Sequence, residues 1–525
     1  MECSCIRQTE LPGTSRLFAD FTYHPDRVAQ FYPWATRGSS AFPEVAARID
    51  FPDSRRSALI ELLREQNGPS PLLDRLSRPG TVAVVTGQQV GFLSGPAYTI
   101  YKALTAVRLA ERLTENGVEA VPVFWLATED HDFAEVNHAW VYDHDHQPSR
   151  VECVASPVPN QPVGGIALDG FDWDALATAL NGLPFADQVL DLAKNAYRPG
   201  VSMGQSFREL TSALLGRHQL LYVDPMAESV RRMAAPLMRD AIAKGKLLKG
   251  KLLERNKELT AAGYHAQVHV DEHNTLAFLL EDGRRLALRR QNDHYVVAGR
   301  SISVTDMQDQ AEHLSPNALL RPVIQDYILP TIAYIGGPAE LAYLAQSEVL
   351  YRELLGRQPV ALHRTGFTLL DARSQKLMSR YGICLPDFFH GEHELKERIA
   401  ARLIPQELKA LVSRTRETAV QAIHNLTEEL EHFDPTLAKA SARSRRKIEH
   451  QIQKLESKVA REILVKDQIA TRSAAFLNGL LYPHKHLQER LYSILPMVAE
   501  HGLELIDRLY DHVQLDCPDH RLITV

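Results

Sequence analysis

The segment Thr128-Glu-Asp-His-Asp-Phe133, followed by Asn137 and His138, places three carboxylates (Glu129, Asp130, Asp132) around His131. Such groups are costly to bury and are seldom placed for stability. They could bind an amine, orient a ribose, act as a general base or hold a metal ion. A second segment, Thr86-Gly-Gln-Gln-Val-Gly-Phe-Leu-Ser-Gly-Pro96, offers different chemistry. Its glycines, Gly87, Gly91 and Gly95, would let backbone approach a ligand closely. Pro96 suits the first position of a helix, whose free N–H groups and positive dipole end favour a phosphate or carboxylate. Lys102 lies two turns further in and could add a point charge. The same pattern also suits a plain tight turn, and its spacing is not the G-x-G-x-x-G of dinucleotide sites.

The loop has an echo. Gly95-Pro-Ala-Tyr-Thr-Ile-Tyr-Lys-Ala103 and Gly337-Pro-Ala-Glu-Leu-Ala-Tyr-Leu-Ala345 share G-P-A-x-x-x-Y-x-A. Two helix N-termini built alike could face one ligand from two sides, or G-P-A is simply a good helix opener. Other candidates fall away. Asp143-His-Asp-His146 reads as a solvated loop without zinc-ligand spacing, so no tightly bound metal is expected. Gly245-Lys-Leu-Leu-Lys-Gly-Lys-Leu252 has Leu252 where a P-loop needs Ser or Thr, and there is no G-x-S-x-G nucleophile elbow.

The elements that must position these residues are legible. Thr81–Thr86 is a short β-branched strand, Pro96–Leu113 has helical apolar spacing, and Val118–Ala127 is a nearly all-apolar strand. Together they make a strand–helix–strand unit of a parallel sheet. His218–Asp224 gives a further strand, and Thr331–Ile335 enters a helix through Gly336-Gly337-Pro338. Ala266–Arg290, with Asp282-Gly283 between two strand-like runs, predicts an antiparallel hairpin inserted into this core.

The pattern changes after about residue 385. Residues 392–478 contain no glycine, and 28 of residues 391–470 are charged, 15 positive and 13 negative. Ile423, Leu426, Leu430 and Phe433, then Ile448, Ile452, Leu455, Val459 and Ile463, step by three and four either side of Asp434-Pro435. That spacing predicts an antiparallel coiled-coil hairpin suited to dimerisation, or else a bundle helix pair packed on the core. The balanced charge argues against reading Arg443–Lys447 as an RNA site.

Composition bounds the rest. The chain has 525 residues, 45% hydrophobic and 24% charged, with net charge −6. This length allows three or four domains and a core that needs no disulfide or metal. The longest apolar runs fall well short of a membrane helix, and the mild acidity argues against broad nucleic-acid binding. No basic and apolar leader opens the chain, and five scattered cysteines form no disulfide framework, with Cys3 and Cys5 in an expected frayed end. A cytoplasmic location is expected.

Four long blocks, residues 86–102 (TGQQVGFLSGPAYTIYK), 122–138 (PVFWLATEDHDFAEVNH), 314–346 and 488–511, resemble the BshC family of bacillithiol biosynthesis, the cysteine ligases. They stand in the family's order, and weaker similarity covers the rest of the chain. The resemblance implies an α/β fold: a Rossmann-type nucleotidylyltransferase-like core with connecting-peptide-like insertions, plus an α-helical antiparallel coiled coil that forms a homodimer. Residues 1–384 would be the core, with insertions near 140–200 and 245–312. Residues 385–480 would form the arm, and 481–525 would pack back on core or arm. The implied activity joins L-cysteine to the amine of glucosaminyl-malate, with ATP and Mg2+ activating the cysteine carboxylate.

On that resemblance, Thr86, Gly87, Gln88, Gln89, Gly91, Gly95 and Lys102 would cradle phosphate or malate carboxylates. Glu129, Asp130, His131 and Asp132, with Asn137 and His138, would handle the amines, Asp130 or His131 being the base. Ser315, Asn317, Arg321 and Gln325 would read polar substrate groups, and Gly336, Gly337 and Glu340 would line the second helix mouth. The chain departs from nucleotidylyltransferases in one respect. Thr86–Gly95 lacks the histidines of their first signature, and Lys376-Leu-Met-Ser-Arg380 is only distantly like their second. The activation chemistry therefore stays open, as do two other readings: a non-catalytic scaffold dimer and a metal-dependent hydrolase or transferase.

Overall fold

A computed structural model of the chain describes residues 3–271 and 274–525. The elements that concern the site are, in chain order, β1 (Val82–Gln88), α1 (Tyr98–Glu115), β2 (Ala120–Leu126), β3 (Leu221–Val223), β4 (Asn274–Glu281), β5 (Arg284–Gln291), β6 (Leu314–Pro316), α2 (Arg321–Ile328), β7 (Thr331–Gly336), α3 (Pro338–Leu354) and β8 (Val360–His363). The chain divides into two units, each described separately. The first comprises residues 1–144, 148–368 and 489–523, and the second residues 145–147, 369–488 and 524–525.

The first unit is built on a five-stranded parallel sheet in the order β8-β7-β1-β2-β3. β1 and β2 run in register from Val82 opposite Ala120 to Gln88 opposite Leu126. Along β1, Ala83 and Val85 enter one core while Val82 and Val84 enter the other, where Ala106, Leu109, Ala110 and Leu113 of α1 cover them. A strand covered on both faces cannot alternate with polar residues, so β1 and β2 read as unbroken apolar runs. The hairpin expected around Asp282-Gly283 is β4 and β5, and both turn residues have positive φ, 50° and 71°. It belongs to a second, antiparallel sheet that β6 closes at one edge.

One expectation is corrected in this unit. Cys3–Ile6, expected to fray, is a strand paired antiparallel with His520–Thr524, Cys3 opposite Ile523. The residues of the P-loop near-miss lie in a regular helix, Gly245–Ala261, as their Lys/Leu-rich pattern implies.

The second unit is helical. Its long helices, α4 (Gln406–Phe433) and α5 (Pro435–Lys466), are separated only by Asp434, whose carboxylate caps α5 by accepting from the Thr436 N–H at 2.8 Å. Thr427 and Ser441 hydroxyls meet across the hairpin at 2.6 Å, and Arg416 pairs with Glu456 at the same distance. Four of the nine residues of the apolar stripe, Leu426, Phe433, Ile448 and Leu455, are exposed. His146, expected in a solvated loop, is buried with its ring 4.1 Å from that of Phe476. Lys376–Arg380 lies inside the helix Ala372–Tyr381, so the distant likeness to a signature loop has no loop behind it.

Candidate functional site

The carboxyl ends of β1, β2 and β7 open into a cavity of about 660 Å³. Ligands bind at this edge of open parallel sheets because chain and free N–H groups leave the sheet there. Gly87, Gln88 and Gln89 line it from the end of β1, Glu129 and Asp130 from beyond β2, and Gly337 and Glu340 from the start of α3. The inserted hairpin closes another wall with Phe278 and Arg285, and Arg321, Arg364 and Arg490 complete the lining.

The acidic turn is held by its backbone. Ala127 N–H donates to Gln88 O (2.9 Å), Gly164 N–H to Thr128 O (3.0 Å) and Val163 N–H to Asp130 O (2.6 Å). Thr128 donates its hydroxyl to Asp224 at 2.5 Å. This fixes the directions of the two adjacent carboxylates, which then meet different surroundings. Asp130 accepts from the Gln89 amide (2.5 Å) and from the N–H groups of His131 (2.7 Å) and Asp132 (3.3 Å). Burial acts to raise its pKa, but these donors outweigh it and hold Asp130 below the usual carboxylate range. Glu129 is only 5% exposed. Burial pushes its carboxyl up to about 7 against the opposing pull of Arg285, the Ser315 hydroxyl and Arg321.

Arg285 organises this side of the cavity. Its Nε donates to Ser315 Oγ at 3.0 Å and its Nη2 to Pro316 O at 2.7 Å, while Nη1 lies 3.4 Å from His131 Nδ1. The guanidinium stacks 4.0 Å above the Phe278 ring. Nothing in the sequence separates Arg285 from Arg284, Arg289 or Arg290 on the same strand. Only the folded hairpin, closed against β6, turns this one inward.

The opposite side is formed by the two G-P-A helices. Lys102 is buried, and its ammonium donates to Gly87 O (3.0 Å) and Gln88 Oε1 (2.8 Å) and pairs with Glu340. It is a tie between the two helix mouths, with all three N–H donors engaged, and not a free point charge. Glu340 also accepts from Gly337 N–H (2.8 Å) and the Tyr334 hydroxyl (2.7 Å). Against the effect of burial, facing Lys102 holds its carboxyl below the usual range. Arg321 donates to the Tyr343 hydroxyl (2.5 Å) and to Gln325 (3.3 Å). Arg364 grips Glu489 with two hydrogen bonds of 2.9 and 2.6 Å, and both side chains are buried.

Several predicted residues stand apart from the lining. Gly91 and Gly95 are off the cavity lining, and a Cβ at Gly91 would lie 2.9 Å from Gly95 Cα, so the loop folds onto itself. Gly87 lies on the lining, but its missing Cβ serves the sheet, since one would come within 2.7 Å of Trp125 O. Thr86 is buried and donates to Ile335 O at 2.9 Å. Asp132 caps the short helix Phe133–Val136 through Glu135 N–H, and Asn137 Oδ1 lies 3.1 Å from His138 Nδ1. Asn317 reaches the lining and also accepts from the N–H groups of Leu319 and Leu320 at 3.0 Å. Ser315 and Gln325 are fully buried behind the wall, and Gly336 ends β7. The sequence missed Arg285 and Phe278 on the hairpin, Tyr98 and Tyr343 on the two G-P-A helices, and Arg364 and Arg490.

A family model described as the N-terminal Rossmann-like domain of bacillithiol biosynthesis BshC matches residues 1–365. A second, the C-terminal coiled-coil domain of BshC, matches residues 367–525. The chain belongs to the BshC family. A protein of Solibacter usitatus named putative cysteine ligase BshC is 55% identical over 525 residues, all of both chains. Proteins of the same name from Koribacter versatilis and Salinibacter ruber are 36% and 32% identical, covering 99% and 97% of this chain and 99% and 96% of their own. BshC is thus a family of ligases; in this chain the Rossmann-like match holds all of the cavity lining except Arg490, and the coiled-coil match holds α4 and α5. Among the described residues no helix is long and apolar enough to cross a membrane.

Proposed function

We propose that the protein is a cysteine ligase that joins the carboxylate of L-cysteine to the amine of glucosaminyl-malate, forming bacillithiol. The observation that carries this reading is the cavity itself, in a chain of this family: two adjacent carboxyl groups and several guanidinium groups line one space. The reaction calls for both kinds of partner. Its amines need carboxylates, and its malate and phosphate groups need cations. Asp130, held ionised by three donors, suits an ammonium group. Arg321 and Arg490 suit carboxylates.

Amide formation from a free carboxylate is uphill, so activation is required. The donors present fit nucleotide phosphates: Gly337 heads the 17-residue helix α3 at the cavity wall, close to Arg364 and Arg490. ATP, when bound there with Mg2+, would supply a phosphate leaving group on the cysteine carboxylate. The protein's own part is to hold the two substrates in line and stabilise negative charge with Arg285 and Arg321. The exposed Leu426, Phe433 and Leu455 support self-association of the helical hairpin as a homodimer, and a biosynthetic ligase of this kind would work in the cytoplasm.

The test is incubation of pure protein with L-cysteine, glucosaminyl-malate, ATP and Mg2+, followed by mass spectrometry of products. Bacillithiol with AMP is expected if the intermediate is an adenylate, and bacillithiol with ADP if it is an acyl phosphate. Absence of bacillithiol under every nucleotide condition overturns the ligase reading.

A further inference from the structure

We propose that Glu129, and neither Asp130 nor His131, is the general base that takes the proton from the attacking amine. The proposal rests on the ligase reading above and assigns a group within the same cavity. Glu129 lies three residues beyond the carboxyl end of β2, on the cavity lining, and is almost wholly buried. Its neighbour Asp130 has both oxygens taken by donors of the protein and is stabilised as the anion, which makes it a weak acceptor of a proton. His131 is off the lining, with its Nδ1 facing the Arg285 guanidinium.

The groups around Glu129 come from every element packed against it. Arg285 reaches in from β5, Ser315 from β6 and Arg321 from α2, while Asp224 follows β3 and Asp130 and His131 stand on its own segment. Arg285 donates to Ser315 Oγ, which leaves the Ser315 hydroxyl hydrogen for the Glu129 carboxylate. Arg285 and Ser315 are positioning residues. They aim the carboxylate, while burial keeps it basic enough to accept a proton near neutral pH.

The step balances with one named co-reactant, an acyl phosphoanhydride of cysteine. The neutral amine nitrogen of the amino sugar attacks the activated carbonyl carbon, and the C–N bond forms. The C–O bond to the phosphate breaks, its electron pair going to the phosphate oxygen. The N–H proton passes to the Glu129 carboxylate, which returns it to solvent after product leaves.

The experiment compares full-length wild type, Glu129→Gln and Glu129→Asp. Glu129→Gln is expected to lower kcat roughly 100-fold or more, with a smaller change in KM. The part of the acidic limb of its kcat/KM profile near pH 7 that Glu129 supplies should be lost, leaving only that of the substrate amine, whereas Glu129→Asp, still ionisable, should keep both. A readout without turnover is carboxyl carbon-13 NMR of glutamate-labelled protein. One resonance should titrate near neutral pH and be missing from Glu129→Gln. If Glu129→Gln does not fold, this titration in wild type and the profile of Glu129→Asp decide the matter. If wild type makes bacillithiol and Glu129→Gln keeps the wild-type rate and profile, only this proposal falls. A Glu129 resonance that titrates below pH 5 also overturns it. If wild type makes no bacillithiol, the ligase reading falls and this role with it.

Discussion

The two G-P-A helices share a sequence signature yet meet the rest of the molecule differently. At the first, Gly91 packs on Gly95, Ala97 N–H donates to Tyr492 O at 2.7 Å, and Ser493 donates to Leu93 O at 2.8 Å. That mouth is sealed by chain from the far end of the sequence, and only Tyr98 and Lys102 of its helix reach the cavity. At the second, Gly337, Pro338, Ala339 and Glu340 all lie on the lining. A shared motif therefore reports a shared way to begin a helix, while the packing of distant segments decides which helix end is open. The position after G-P-A marks the divergence: Tyr98 in one copy, Glu340 in the other.

The sharpest way to break this comparison is to cut the tie between the copies. Lys102→Met leaves the partly buried Glu340 without its cation and should cost about 2–4 kcal/mol of stability. The double variant Lys102→Met/Glu340→Gln removes the stranded charge and should unfold at higher urea than Lys102→Met alone. A double variant no more stable than the single would show that the ion pair does not join the two mouths.

Next comes the acid below the open mouth. Burial alone would raise the pKa of Glu489, but Arg364 and His520 bring it down to about 2. A folded value below the ordinary 4.5 means that the pair's contribution is present above that pH. It is lost as the pH falls towards 2. The loss should be on the order of 3 kcal/mol across that window, measured as the change in urea unfolding free energy. Glu489→Gln, already weaker at neutral pH, should show a shallower slope there. Equal slopes would remove Arg364–Glu489 as the anchor of that wall.

The smallest effects separate the mouths directly. Gly91→Ala forces a methyl group against Gly95 and should cost about 1–3 kcal/mol. Gly337→Ala meets nothing nearer than a Glu340 carboxylate oxygen at 3.4 Å and should stay within about 0.5 kcal/mol of wild type. Thermal melts of the two variants check this. Equal destabilisation would mean that the mouths are packed alike.

Much of the framework was legible in local patterns. The strand–helix–strand around Gly87, the hairpin at Asp282-Gly283 and the helix break at Asp434-Pro435 follow from apolar period and turn chemistry, which act over a few residues. The acidic turn was legible as unusual, and Glu129 and Asp130 do reach the cavity. Their division of labour was not, because Asp130 gains its donors from Gln89 and its own turn, while Glu129 faces Arg285 from a strand more than 150 positions later. Gly91 and Gly95 misled in the same way: a glycine needed for loop packing is indistinguishable in sequence from one needed for a ligand.

By itself the sequence determined the parallel α/β core, the glycine-free helical hairpin and membership of the BshC family, since all three are written in patterns along the chain. Only the tertiary structure decided which charges pair, which helix mouth stays open and which carboxyl is poised to hold a proton. Pairing and proton affinity depend on desolvation and on neighbours in space, and Lys102–Glu340 and Arg364–Glu489 join residues that no local pattern connects.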